Sequence, residues 1–123
     1  MATMKYLIAI YGNEEIWRSF PHEVFREVVR DTDQQHLDLH ASGEYICSFG
    51  LADEVRAKVV RVRDGVPAVT DGPYVEAKEH LASFTIVDCE SEERALEIAA
   101  ANPVARFRQV EVRPILHEAG VEM

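Results

Sequence analysis

The sequence predicts an α+β domain in the order β-α-β-β-α-β, with a β-hairpin inserted before the third strand of that series. Three observations predict it. Short runs of aromatic and β-branched residues recur along the chain, two longer stretches carry apolar residues at helical spacing, and Asp64-Gly65 and Asp71-Gly72-Pro73 supply turns. A length of 123 residues with 47% hydrophobic content suits one core, so residues 1–123 are expected to form a single domain.

Lys5-Tyr6-Leu7-Ile8-Ala9-Ile10-Tyr11, closed by Gly12-Asn13, reads as a buried strand. From Pro21 to Ser42, Val24, Phe25, Val28, Val29 and Leu39 recur at helical spacing, and Gly43 stands where a glycine ends a helix. Trp17 and Phe20 precede that helix and are expected to pack its start. Glu44 to Gly50 is a second strand. Lys58 to Arg63 then meets Val66 to Thr70 across Asp64-Gly65, a favoured hairpin pair, and Pro67 marks an edge because it has no N–H for a ladder. Leu81 to Asp88 reads as a central strand buried on both faces. Ser91 is a natural N-cap, Glu92 and Glu93 suit the positive first turn, and the helix runs to Asn102-Pro103. In the closing strand, Phe107 to Ile115, Val110 and Val112 alternate with Gln109, Glu111 and Arg113, so one face is wet or meets a partner.

This order is the split β-α-β of ferredoxin-like folds. Two helices cover one face of such a sheet, so the other is expected to meet a second copy, giving a homodimer of the dimeric α/β barrel kind with a cleft for a small-molecule ligand. The formal charge of −9 argues against nucleic acid and anionic membrane as partners. The opening apolar run of about eight residues is far short of the ~20 that a spanning helix needs and has no signal-cleavage site after it, so a cytoplasmic location is expected. Cys47 and Cys89 are isolated and are expected to be free thiols within strands.

The segment Thr70-Asp71-Gly72-Pro73-Tyr74, followed by Glu76, Lys78 and Glu79, resembles the DGPF branch of the YCII-related proteins, with Tyr74 in place of the usual Phe. Tyr11-Gly12, the Val60 to Gly65 hairpin, Ala95-Leu96-Glu97 and Val110 to Pro114 extend the resemblance over nearly the whole chain. Ala82 and Ser83 stand where the family usually has a Gly-Gly pair. The resemblance implies a dimeric ferredoxin-like fold and leaves the chemistry open, since the family is mostly of unassigned function. Wider relatives include proposed enzymes with a His and an Asp in one pocket and a dechlorinating lyase acting on a hydroxylated aromatic. Related domains also occur beside transcription-related proteins.

Two residues are candidates for catalysis. Asp71 either accepts hydrogen bonds from its own turn or is held at a cleft rim as a base or as the orienter of an imidazole. His36 shares a helical stripe with Phe25, Val29, Thr32 and Leu39; it is either core or, facing a cleft, a proton-transfer group with Asp71 fixing its tautomer. Lys78, Tyr74 and Glu76 are the candidate substrate-binding residues, with Lys78 a cation for an acidic substrate group. His36 and His40, four apart, could grip a metal only with further ligands, and none stands at matching spacing, so no metal is expected. His22, His80 and His117 fall in polar or terminal stretches and are expected to be exposed. No phosphate loop, nucleophile elbow or dinucleotide fingerprint is present, so no cofactor is expected. The leading expectation is cofactor-independent acid–base chemistry on a small molecule. Its rival is a non-catalytic dimeric module that binds a small ligand or a protein.

Overall fold

The computed structural model describes residues 2–73 and 79–118. Four strands, β1 (Met4–Gly12), β2 (Tyr45–Gly50), β5 (His80–Cys89) and β6 (Val110–Pro114), form an antiparallel sheet in the order β2-β5-β1-β6. Between β2 and β5, β3 (Lys58–Arg63) and β4 (Val66–Asp71) pair with each other and, among the described residues, with no other strand. Three helices complete the main elements: α1 (Glu14–Arg18), α2 (His22–Ser42) and α3 (Glu92–Ala101). The arrangement is the ferredoxin-like α+β fold expected from the element order, with the hairpin standing outside the main sheet.

The core lies on the helix-bearing face of the sheet. Tyr6 and Ile8 of β1 and Val87 and Cys89 of β5 are buried with Leu39 of α2 and with Ala95, Ile98 and Ala99 of α3. Val110 and Val112 pack against this cluster while Glu111 and Arg113 stay exposed, as their alternation predicts. Small alanines on α3 let its backbone approach the sheet closely. Ser91 caps that helix through Arg94 N at 3.0 Å, and Gly43, in the left-handed region at φ 80°, ends α2.

Several expectations are corrected. Two elements go unrecognised in the sequence, α1 and a 3₁₀ turn at Glu54–Arg56. The last strand is shorter than expected because a second 3₁₀ turn, Pro103–Arg106, follows α3. On α2 the buried residues are Val28 and Leu39, whereas Phe25 and Val29 are exposed. With 21 residues the helix is about 31 Å long and overruns the core. Nor is β5 buried on both faces: Val87 and Cys89 are buried, and most of the strand is half-buried because no layer among the described residues covers the second face. Cys47 and Cys89 are free thiols, and burial pushes the Cys89 thiol up from its ordinary value. Among the described residues no helix is long and apolar enough to cross a membrane.

Candidate functional site

The residues singled out in the sequence occupy separate places. Asp71 ends β4 opposite Lys58 and forms an ion pair with it at the exposed base of the hairpin. Gly72 follows, its N–H bonded to Ala57 O at 2.8 Å, and a Cβ on Gly72 would lie 3.0 Å from the Ala57 side chain. His36 lies on α2 over the edge strand β2. Its Nε2 is 3.3 Å from Ser48 Oγ, and its ring is 5.5 Å from that of Tyr45. Ser48 pairs in register with Thr85 of β5. Tyr74, Glu76 and Lys78 lie outside the described residues; Glu79, which ends that segment, pairs with Arg108. Among the described residues no group of three His, Cys, Asp or Glu side chains is gathered to hold a metal.

A different histidine occupies the most chemically furnished cavity. A hollow of about 380 Å3 opens at the far end of β1 and β5 and is lined by Gly12, Asn13, Glu14, Trp17, Leu51, Ala52, Asp53, Glu54, Arg56, His80, Leu81 and Ala82. His80 is half-buried. Its Nδ1 is buried and faces the carboxylate of Glu54, with the two side chains 20% and 21% exposed, so the pair sits out of bulk water. A carboxylate on one imidazole nitrogen holds the proton there and so makes the other nitrogen the acceptor. A larger hollow of about 600 Å3 between α3 and β6, lined mostly by apolar groups with Arg106 and Arg108, contains no such pair.

Local sequence builds this cavity. Asn13 caps α1 through Ile16 N at 2.9 Å. Asp53 accepts from Glu14 N at 2.7 Å and caps the 3₁₀ turn through Val55 N at 3.4 Å, so one carboxylate staples the start of α1 to the turn that carries Glu54 and Arg56. The Trp17 indole lies against Gly12, where an added Cβ would come within 2.4 Å of the ring. No larger residue fits there while Trp17 keeps its place. Trp17 also meets Phe20 edge-on at 5.9 Å, and Phe20 meets Phe107 at 5.4 Å, which ties the cavity wall to the end of the Pro103–Arg106 turn.

His80 reaches the cavity because of a bulge. Tyr6, Ile8 and Ile10 pair with Val87, Thr85 and Ser83 on the helix-bearing face. Between Ile10 and Tyr11 the register shifts, leaving Ala82 as an extra residue on β5, so that Tyr11 pairs with Leu81 and Gly12 with His80. Strict alternation back from Ser83 would put His80 on the open face; the extra residue returns it to the side of Trp17 and Glu54. The expectation that His80 is solvent-exposed is thereby corrected. From Thr85, beside Ser48 and His36, to His80 is roughly 16 Å along the strand at ~3.3 Å per residue.

The open face carries other chemistry. There Tyr11 Oη donates to Glu111 Oε1 at 2.8 Å, a bond that holds the phenol proton and raises its pKa. Phe49 and Phe84, 5.7 Å apart, form an aromatic patch on β2 and β5, with Phe49 57% exposed.

The family model described as YCII-related domain matches residues 4–118. An uncharacterized protein of Rhizobium meliloti (strain 1021) is 30% identical over 116 residues, a stretch that covers 91% of this chain and 92% of that relative.

Proposed function

The chain belongs to the YCII-related family, a family of unassigned function, and we propose that it is a small-molecule enzyme that uses the His80–Glu54 pair as a cofactor-independent acid–base device. One observation carries this reading: a half-buried imidazole whose Nδ1 faces a carboxylate in a cavity walled by Trp17 and Leu51. Glu54 orients the ring and stabilises the imidazolium that forms when Nε2 takes a proton from a substrate. The Asp71-Gly72-Pro73 turn supports a place in the DGPF branch. It begins the connection that ends at His80, which gives the motif a positional role next to the site. Asp71 and His36, the pair expected from the sequence, act here through nearer partners, Lys58 and Ser48.

The test is proton exchange. Weak carbon acids that shift the amide signals of Leu51 to Arg56 and His80 to Ala82 are incubated with the protein in D2O, and deuterium uptake is followed by NMR. Uptake that His80→Gln and Glu54→Gln abolish supports the reading. Uptake that survives both substitutions, or ligands that shift only residues on the open face, sinks it. An Asp71→Asn and His36→Gln pair run alongside asks whether the residues expected from the sequence share the chemistry.

A second reading is favoured by the open face itself. Phe49, Phe84 and the half-buried Leu7 and Ile86 form an apolar surface that no layer among the described residues covers. A homodimer joined there, in the manner of a dimeric α/β barrel, would bury it, and as a cytoplasmic protein without a nucleic-acid or membrane partner the chain would act as that dimer. Sedimentation equilibrium of Phe49→Asp, expected to be monomeric against a dimeric wild type, checks this.

A further inference from the structure

We propose that the cavity selects a small monocarboxylic acid with an apolar body, and that Arg56 is the residue that binds its carboxylate; the inference rests on the His80 site described above. The charges lining the cavity are mostly spent on one another. Glu14 pairs with Arg18, both oxygens of Asp53 accept from backbone N–H groups, and Glu54 faces His80. Arg56 differs: its guanidinium has no hydrogen bond or ion pair among the described residues. Its backbone is nevertheless fixed, since Arg56 N bonds to Asp53 O at 2.9 Å at the end of the 3₁₀ turn. An exposed, unspent guanidinium carried on a fixed backbone at the cavity edge is a fork shaped for a carboxylate.

The remaining lining narrows the class. Trp17, Leu51 and Ala52 offer an apolar wall, and about 380 Å3 lies at the small end of ligand pockets, which suits a single ring or a short branched chain. Glu14, Asp53 and Glu54 surround the same space on a chain of formal charge −9, so a dianion such as a phosphate monoester meets more repulsion than a monoanion. An amine would meet the Arg56 guanidinium as a like charge. A monocarboxylate on Arg56, with its body against Trp17, meets each group in the state in which it is found.

Trp17 is the chain's single tryptophan and lines this cavity, so tryptophan-selective emission reports binding beside it, and the Arg56 variants assign that binding to this cavity and not to the neighbouring hollow that Trp17 shares with Arg18, Phe20 and Phe25. The full chain is titrated with benzoate and 3-methylbutanoate, and with benzamide, benzylamine and phenyl phosphate as matched probes. The acids should give saturable changes and the other three should bind at least about tenfold more weakly, since a charge-assisted contact is lost. Arg56→Gln should weaken benzoate by about tenfold or more, Arg56→Lys by less, and Arg61→Gln on the hairpin should change nothing. Circular dichroism confirms that each variant is folded. Equal or tighter binding of the amide, amine or phosphate, or an affinity indifferent to Arg56→Gln, overturns the proposal. If such ligands still shift the amides around His80, the site reading stands while the carboxylate assignment falls; if no probe shifts either, both fall.

Discussion

The two ends of β1 and β5 are built from the same pair of strands and do opposite things. At one end Tyr6, Ile8, Val87 and Cys89 meet α2 and α3 with their side chains fully used in packing. At the other, Gly12 and His80 face a hollow bordered by α1 and a 3₁₀ turn, and polar groups take the place of a core. The difference lies in the partners. A ten-residue, alanine-rich helix can lie flat on a sheet, whereas the five residues of α1 reach it mainly through Trp17. The fold is thus held at one end and left available at the other, and damage at either end should show a distinct signature.

The largest effect is expected at the packed end. Ile8 is 2% exposed within the main cluster, so Ile8→Ala should cost about 2–5 kcal/mol in chemical denaturation while Trp17 emission in the folded protein stays as in wild type. At the open end, Gly12→Ala puts a methyl where the indole now lies. It should cost about 1–3 kcal/mol and should move the emission maximum as Trp17 is displaced. A Gly12→Ala protein with unchanged emission would break the comparison, because the two ends would then respond alike.

The packed end was largely legible in the sequence and the open end was not. Apolar runs and caps identify β1, β5, α2 and α3, since residues such as Ile8, Val87 and Ala95 sit where periodicity places them. The pattern of Phe25 and Val29 misleads because α2 extends past the core it would pack against. His80 was hidden for a sharper reason: alternation is counted along a strand, and the extra residue at Ala82 reverses the count, an event with no compositional mark. Glu54 and Arg56 lie in a one-turn 3₁₀ helix too short to leave a period, although Asp53 before them is a cap signal that could have drawn notice. The clearest motif, Asp71-Gly72-Pro73, identified the family and pointed to the neighbourhood, while the chemistry of the proposed site stands on residues flanking it.

An intermediate effect is expected where α3 is tied to the turn before β2. Arg94 holds Glu44 in a two-pronged contact at 2.9 and 2.8 Å, and that guanidinium keeps the Glu44 carboxyl below the ordinary carboxylate range. A depressed carboxylate contributes stability above its unfolded value and loses it as pH falls through the folded one. Arg94→Met should therefore be less stable at pH 7 by about 1 kcal/mol, a figure discounted because Arg94 is partly exposed. The gap should close as pH falls below about 4.3, the ordinary glutamate value. A gap that is constant with pH would assign the loss to packing of the arginine stem instead.

The smallest effect, and the one that sharpens the comparison most, is expected at His36. It lies against the packed half of the sheet, its contact to Ser48 Oγ is long at 3.3 Å, and its ring leans on Tyr45. His36→Gln keeps a polar group of similar reach and should change stability by about 0.5 kcal/mol or less, with Trp17 emission and the affinity for benzoate as in wild type. His80→Gln should cost about 1 kcal/mol, because the largely buried Glu54 carboxylate loses its imidazole partner and keeps only the amide, and should remove proton exchange. One histidine on α2 over the sheet and one at the end of β5, unequal in chemistry, would locate the function at the end where the strands stop being core. If His36→Gln also suppressed exchange, the distance along β5 would have to be spanned by a path through Ser48 and Thr85, and the division between the two ends would fail.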